Sequence, residues 1–126
     1  MPQYVKDVMT PTVTWVRPDA SLVEAAQLMR AQDIGGVFVA LHGELLGVLT
    51  DRDITLRAVA EGVDPLTVSC HLMCTPDPVT IGPDQEVTEA AALMRRHEVR
   101  RLPVVRSGRP VGVVSMRDLE RGRAPT

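Results

Sequence analysis

Two seven-residue stretches of the chain repeat one chemical pattern. Gly47-Val48-Leu49-Thr50-Asp51-Arg52-Asp53 and Gly112-Val113-Val114-Ser115-Met116-Arg117-Asp118 each run glycine, two apolar residues, a hydroxyl, and an aspartate three places further on. Hydroxyl-x-x-acid is first of all a helix-opening signature: the hydroxyl caps the first turn and the acid reaches back to the backbone. The same residues suit a second task. An aspartate can accept hydrogen bonds from two neighbouring hydroxyls, as a ribose cis-diol presents them. Thr50 or Ser115 can serve an oxygen of the same sugar or of a phosphate. A strand-to-helix turn also presents free amides and the positive end of the helix dipole. The acid is Asp in both places, where a capping box more often carries Glu or Gln.

Further donors flank the second pattern. His97-Glu98-Val99-Arg100-Arg101-Leu102-Pro103 precedes it, and a guanidinium fork matches a phosphate. The equivalent stretch before the first pattern is Ile34-Gly35-Gly36-Val37-Phe38, so the first site is expected to be roomier and less cationic. Cys70-His71-x-x-Cys74 offers two thiols and an imidazole, a possible zinc set lacking a fourth ligand. Its plain alternative is a pair of buried cysteines acting as small hydrophobes. His42, His71 and His97 are scattered, and no nucleophile elbow, phosphate-binding lysine loop or zinc-protease motif occurs. An enzyme is not expected.

The elements that must position these residues come in two copies. A shift of 65 residues lays Pro18-Asp19 on Pro83-Asp84, Glu24-Ala25-Ala26 on Glu89-Ala90-Ala91, and Leu28-Met29-Arg30 on Leu93-Met94-Arg95. Gly43 then meets Gly108, and both aspartates of the chemical pattern coincide. Each copy reads β-α-β-β-α. Val13 to Val16 and Val79 to Ile81 open the copies as short strands. Leu22, Ala25, Ala26 and Met29 recur at helical spacing behind the capping pair Ser21 and Glu24, as do Val87, Ala90, Ala91 and Met94. Hairpins are predicted for Val37–Leu41 with Leu45–Leu49, turning at His42-Gly43-Glu44, and for Leu102–Val105 with Val111–Val114, turning at 106–109. A second helix runs from Asp51 or Arg52 to about Ala60, stopped by Gly62. Its counterpart starts at Met116 or Arg117 and ends near Gly122. Units of 4–62 and 68–122 follow, joined at Asp64-Pro65. One such unit buries too little surface to be comfortably stable alone, so the two are expected to pack together about a pseudo-two-fold axis.

Composition narrows the function. A net charge of −2 and three aromatic residues, Tyr4, Trp15 and Phe38, give no general basis for binding nucleic acid. No run approaches the roughly 18 apolar residues of a membrane span, and Met1 to Thr10 lacks a signal-peptide pattern. The cytoplasm is the expected compartment.

The doubled unit resembles the CBS domain pair, or Bateman module. Val8-Met9-Thr10-Pro11 and Met73-Cys74-Thr75-Pro76 open the copies, and Gly-x-x-Thr/Ser-x-x-Asp closes each. The resemblance covers about residues 4 to 121 and implies an α/β module (α+β in some schemes) that regulates without catalysing. Its implied ligand is an adenosine compound: AMP, ADP, ATP, S-adenosylmethionine or a dinucleotide. Asp53 and Asp118 would hold ribose hydroxyls, with Thr50 and Ser115 beside them. Thr12, Val13 and Thr14, and Pro78, Val79 and Thr80, would line the base pockets with backbone, and Val37 and Leu102 would flank the base. Arg100, Arg101 and Arg117 would meet phosphate; Arg52 and Pro103 complete the implied contacts. The first copy departs from the family pattern with Phe38 in place of the proline and glycines in place of the arginines. A homodimer and a separately encoded effector are the implied partners, and a ligand-free dimerisation or interaction module is the alternative to ligand sensing.

Overall fold

The computed structural model describes residues 2–122. Along the chain the elements are α1 (Val5–Val8), β1 (Trp15–Val16), α2 (Leu22–Gln32), β2 (Gly36–Leu41), β3 (Glu44–Thr50) and α3 (Asp51–Asp53). There follow α4 (Cys70–Met73), β4 (Thr75–Pro76), α5 (Val87–His97), β5 (Arg101–Arg106), β6 (Arg109–Ser115) and α6 (Met116–Gly122). Helix α3 runs on as a π-helical stretch, Ile54–Val59, with the Ala60 amide donating to the Thr55 carbonyl. The expected repeat is therefore realised as a mixed α/β chain.

Two compact units form, and their bounds cut across the repeat. One is Thr14–Pro78; the other combines Met1–Val13 with Val79–Thr126. In the first, the sheet order is β1-β2-β3-β4, with β1 parallel to β2 and the remaining pairs antiparallel. In the other, Ile81 bridges in parallel to Val104 on β5, β5 pairs antiparallel with β6, and Thr10 bridges antiparallel to Val113 on β6. The two sheets thus share one topology. The fourth position of each is filled by the Thr-Pro segment that precedes the other copy: Thr75-Pro76 closes on β3, and Thr10-Pro11 closes on β6.

The short helices follow the same exchange. The Val5 amide donates to the Gln85 carbonyl and Lys6 N–H to Pro83, which docks α1 below the start of α5. The Cys70 amide donates to Ala20 and His71 N–H to Pro18, which docks α4 identically below α2. Val5 joins the core of Ile81, Val87, Ala90, Met94, Leu102, Val104 and Val114. Cys70 and Cys74 join that of Val16, Leu22, Ala25, Met29, Val37, Val39 and Leu49.

Local chemistry explains the element ends. Both hairpins turn through two residues at positive φ, His42-Gly43 (53° and 82°) and Ser107-Gly108 (53° and 79°), the tight type that matches strand twist. The turns are shorter than predicted because the strands pair right up to them. Helix α2 is capped as expected by Ser21, whose Oγ accepts from the Glu24 amide. Ala26, predicted on the buried face, is exposed, whereas Ala91 is buried. The opening strands are also shorter than predicted. In the first copy the Phe38 amide donates to the Thr14 carbonyl; its counterpart Pro103 has no N–H, so the second copy keeps only the bridge at Ile81.

Gly47 and Gly112 make the exchanged closure possible. A methyl group on Gly112 would stand 2.6 Å from the Thr10 carbonyl oxygen and 3.3 Å from Pro11 Cα; on Gly47 it would stand 2.7 Å from Cys74 Sγ and 2.8 Å from the Thr75 carbonyl oxygen. Backbone lies against backbone there, leaving no room for a side chain. Gly47→Ala and Gly112→Ala are each expected to lower stability by about 1–3 kcal/mol, as overpacking does. Urea denaturation measures this, and hydrogen exchange at the Val113 amide, bonded at 2.9 Å to the Thr10 carbonyl, should accelerate in the second variant.

Candidate functional site

Each Gly-x-x-Thr/Ser-x-x-Asp pattern ends a strand and begins a helix. Thr50 is the last residue of β3 and caps α3: its Oγ1 accepts from the Asp53 amide at 3.1 Å, while Asp53 Oδ2 accepts from the Thr50 amide at 2.9 Å. Ser115 and Asp118 repeat this at the end of β6, at 3.1 and 2.9 Å. The capping box read from the sequence is thus present twice. It engages one carboxylate oxygen of each aspartate. Among the described residues no hydrogen bond is made to Oδ1 of Asp53 or of Asp118. Both side chains are half-buried, so each site presents one oriented acceptor at the mouth of a helix start.

The neighbours of the two caps differ. The Asp51 amide donates to the Gly35 carbonyl at 3.0 Å, and Gly36 sits opposite Thr50 in the hairpin. At the other cap the Met116 amide donates to the Arg100 carbonyl at 2.8 Å, and Arg101 sits opposite Ser115. The hairpin register thus places both arginines beside Ser115 and Asp118, and two glycines at the same places beside Thr50 and Asp53. Arg52, Arg100, Arg101 and Arg117 are all exposed. A shallow open groove on α3 and its continuation is lined by Asp51, Arg52, Thr55 and Leu56.

Other implied contact residues are placed differently. Val37 and Leu102 are 2% and 1% exposed and lie in the two cores, and Pro103 is buried. The side chains of Val37 and Leu102 pack within those cores. Thr12 is exposed and Val13, Pro78 and Val79 are half-buried. Among the described hydrogen bonds none joins these four to either cap. The exchange also reassigns them: Thr12 and Val13 belong to the unit carrying Ser115 and Asp118, and Pro78 to the unit carrying Thr50 and Asp53.

Sequence reasoning missed Arg57. Its Nη1 donates to the Met73 and Cys74 carbonyls at 3.2 and 3.1 Å, satisfying the end of α4 and tying it to the helix that Thr50 opens. The counterpart position is Gly122, so the repeat itself gave no signal for this contact.

Cys70 and Cys74 occupy the positions that Val5 and Met9 hold in the other copy. Both are buried free thiols; Cys70 Sγ donates to the Ser21 carbonyl and Cys74 Sγ to that of His71. His71 is exposed, as is its counterpart Lys6. Among the described residues no three His, Cys, Asp or Glu side chains are grouped as a metal site. Burial, reinforced by the negative charge of Glu24, pushes the Cys70 thiol up to about 11, and burial also raises Cys74. On the surface, the hydrogen bond and charge of Lys6 lower the Asp84 carboxyl, and Asp84 in turn raises Lys6.

The CBS domain family model matches residues 5–59 and again 68–123. The CBS domain-containing protein YhcV of Bacillus subtilis is 42% identical over 115 residues, covering 91% of this chain and 81% of that protein. The crystal structure of Hypoxic Response Protein I with two coordinated zinc ions superposes with a TM-score of 0.87 at 34% identity, covering 98% of this chain and 100% of that one. The CBS domain pair of MJ0100, in complex with 5′-methylthioadenosine and S-adenosyl-L-methionine, superposes at 0.85 with 26% identity, covering 96% and 95%. No helix among the described residues is long and apolar enough to cross a membrane.

The raised Cys70 thiol sets a pH dependence. The unfolded chain releases this proton near the ordinary value of 9.0, and the folded chain holds it to about 11. Stability is therefore full below about pH 9 and falls as pH rises toward 11. Cys70→Val, which supplies the side chain of the counterpart Val5, should flatten that fall in denaturation curves and cost little at neutral pH.

Proposed function

The chain belongs to the CBS domain family, and from that premise we propose a non-catalytic regulatory module whose two capped turns receive an adenosine-class ligand. The observation that carries this reading is the pair of half-buried aspartates, each held by its own cap with Oδ1 left open. Such an oxygen, fixed by its partner's hydrogen bonds, is pre-organised for a ribose hydroxyl. The bound methylthioadenosine and S-adenosylmethionine of the MJ0100 pair support adenosine as the shared portion of the ligand; AMP, ADP and ATP are the other members of the class. The cap beside Arg100, Arg101 and Arg117 is the stronger site for a ligand carrying phosphate. The ligand acts by its different affinity for two arrangements of the module, and the output passes, in the cytoplasm, to a separately encoded effector.

A second reading takes its support from the zinc ions in Hypoxic Response Protein I: zinc held by Cys70, His71 and Cys74. Against it stand the packing of both cysteines into the core and a solvent-facing His71.

Calorimetric titration with AMP, ATP and S-adenosylmethionine tests the main reading. Asp118→Asn keeps an oxygen for the cap but removes the charge, and should weaken binding by about 10-fold to 100-fold, the worth of a hydrogen bond to a charged group. Asp53→Asn should cost less, and Arg101→Ala should weaken ATP more than S-adenosylmethionine. Absence of binding by all three ligands at millimolar concentration would end the adenosine reading. Metal analysis separates the second: stoichiometric zinc, lost on changing both cysteines to serine, would replace it.

A further inference from the structure

We propose that Arg57 is a positioning residue that ties the first cap to the chain leaving its unit, so that a change at Thr50 and Asp53 is felt in α4 and β4. The helix that Thr50 opens departs from α geometry directly after Asp53. In Ile54–Val59 the Ala60 amide donates to the Thr55 carbonyl, and just beyond it the Val63 amide donates to that of Ala58, both at 3.1 Å. In the second copy α6 is α-helical over Met116–Gly122. Two side chains found only in the first copy hold the altered turn. Thr55 Oγ1 donates at 3.0 Å to the Asp51 carbonyl, the acceptor that an α-helix gives to the Thr55 amide. Arg57 Nη1 donates to the Met73 and Cys74 carbonyls. Their counterparts are Glu120 and Gly122; a carboxylate cannot donate as the hydroxyl does, and glycine has no side chain to extend.

These contacts close a ring within the unit. Cys74 Sγ and the Thr75 carbonyl lie over Gly47, and β3 runs from there to Thr50. The cap joins Thr50 to Asp53, and Arg57, one turn on, returns to Cys74. Every link is a hydrogen bond, a packed contact or the backbone itself. From Cys74 the chain leads through Asp77, whose amide donates to the Leu46 carbonyl at 3.4 Å, to Pro78, where the unit ends. Arg57 is an exposed residue, so its contact ties two elements without filling the core. A π-helical turn is uncommon and is found most often at functional sites; here its register aims Arg57 at α4. A ligand that binds tied and untied arrangements unequally then shifts their populations. That last step rests on the reading of Thr50 and Asp53 as a ligand site; the tie itself does not.

The rate at which an aromatic disulfide reagent labels Cys74 reports opening of the tie, measured on the full chain carrying Cys70→Val so that Cys74 is the single thiol. Arg57→Ala should speed labelling about tenfold, as loss of a hydrogen bond from a charged donor predicts. Arg57→Lys, which keeps a donor, should recover most of the original rate. Thr50→Val removes the capping hydroxyl and should also speed labelling, yet added to Arg57→Ala it should change nothing further. Asp53→Asn serves the same comparison if thermal melting shows Thr50→Val to be unfolded. Effects that multiply would overturn the proposal, as would labelling unchanged by Arg57→Ala. This cycle needs no ligand. The ligand arm uses AMP and S-adenosylmethionine in the Asp118→Asn background, which weakens the second cap, with binding followed by calorimetry. The labelling rate should shift when Arg57 is present and stay fixed in Arg57→Ala, although both proteins bind. A bound ligand that shifts both rates alike would overturn the relay. Absence of binding by both proteins would end the ligand reading, while the cycle still decides the tie.

Discussion

The contact on which both units rest is backbone against backbone at Gly47 and Gly112. The Thr-Pro segment crossing each glycine supplies the last position of a sheet, and the short helix before it plugs the core with Val5 or Cys70. Neither could dock if the strand beneath carried a Cβ, since the nearest carbonyl oxygens stand 2.8 and 2.6 Å from that point. The glycine opening each chemical pattern is therefore a packing requirement.

The caps show how one residue serves structure and recognition together. Asp53 and Asp118 must fix a helix start with one oxygen, and that bond orients the other. The choice of Asp over Glu follows from reach: the shorter side chain holds its second oxygen close to the turn, where amides and helix dipole already favour an anion or a polar ligand.

Identity of topology has not meant identity of chemistry. The equivalents of Gly35 and Gly36 are Arg100 and Arg101, that of Arg57 is Gly122, and those of Cys70 and Cys74 are Val5 and Met9. These exchanges alter charge, polarity or an inter-helix tie, and Arg57 lies in the π-helical stretch where its counterpart Gly122 ends the α-helix α6. The first copy spends an arginine on anchoring α4; the second keeps its arginines at the surface beside the cap.

The repeat, the hairpins, the helix starts and both capped aspartates could be read from residue order, because each depends on spacing within a few residues or on a fixed shift between copies; the turns read from it are too long by one and two residues. Burial of Val37, Leu102 and Pro103 could not, since which face of a strand meets the core depends on what covers it. Nor could the contact of Arg57, which joins residues 16 and 17 positions apart. The partner of each Thr-Pro segment was the least accessible of all. Thr10-Pro11 and Thr75-Pro76 have the same chemistry, and either could in principle lie on either glycine, so the sequence alone presents two equivalent pairings. Only the folded chain, in which every amide and every core position of both units must be filled at once, decides for the exchanged one.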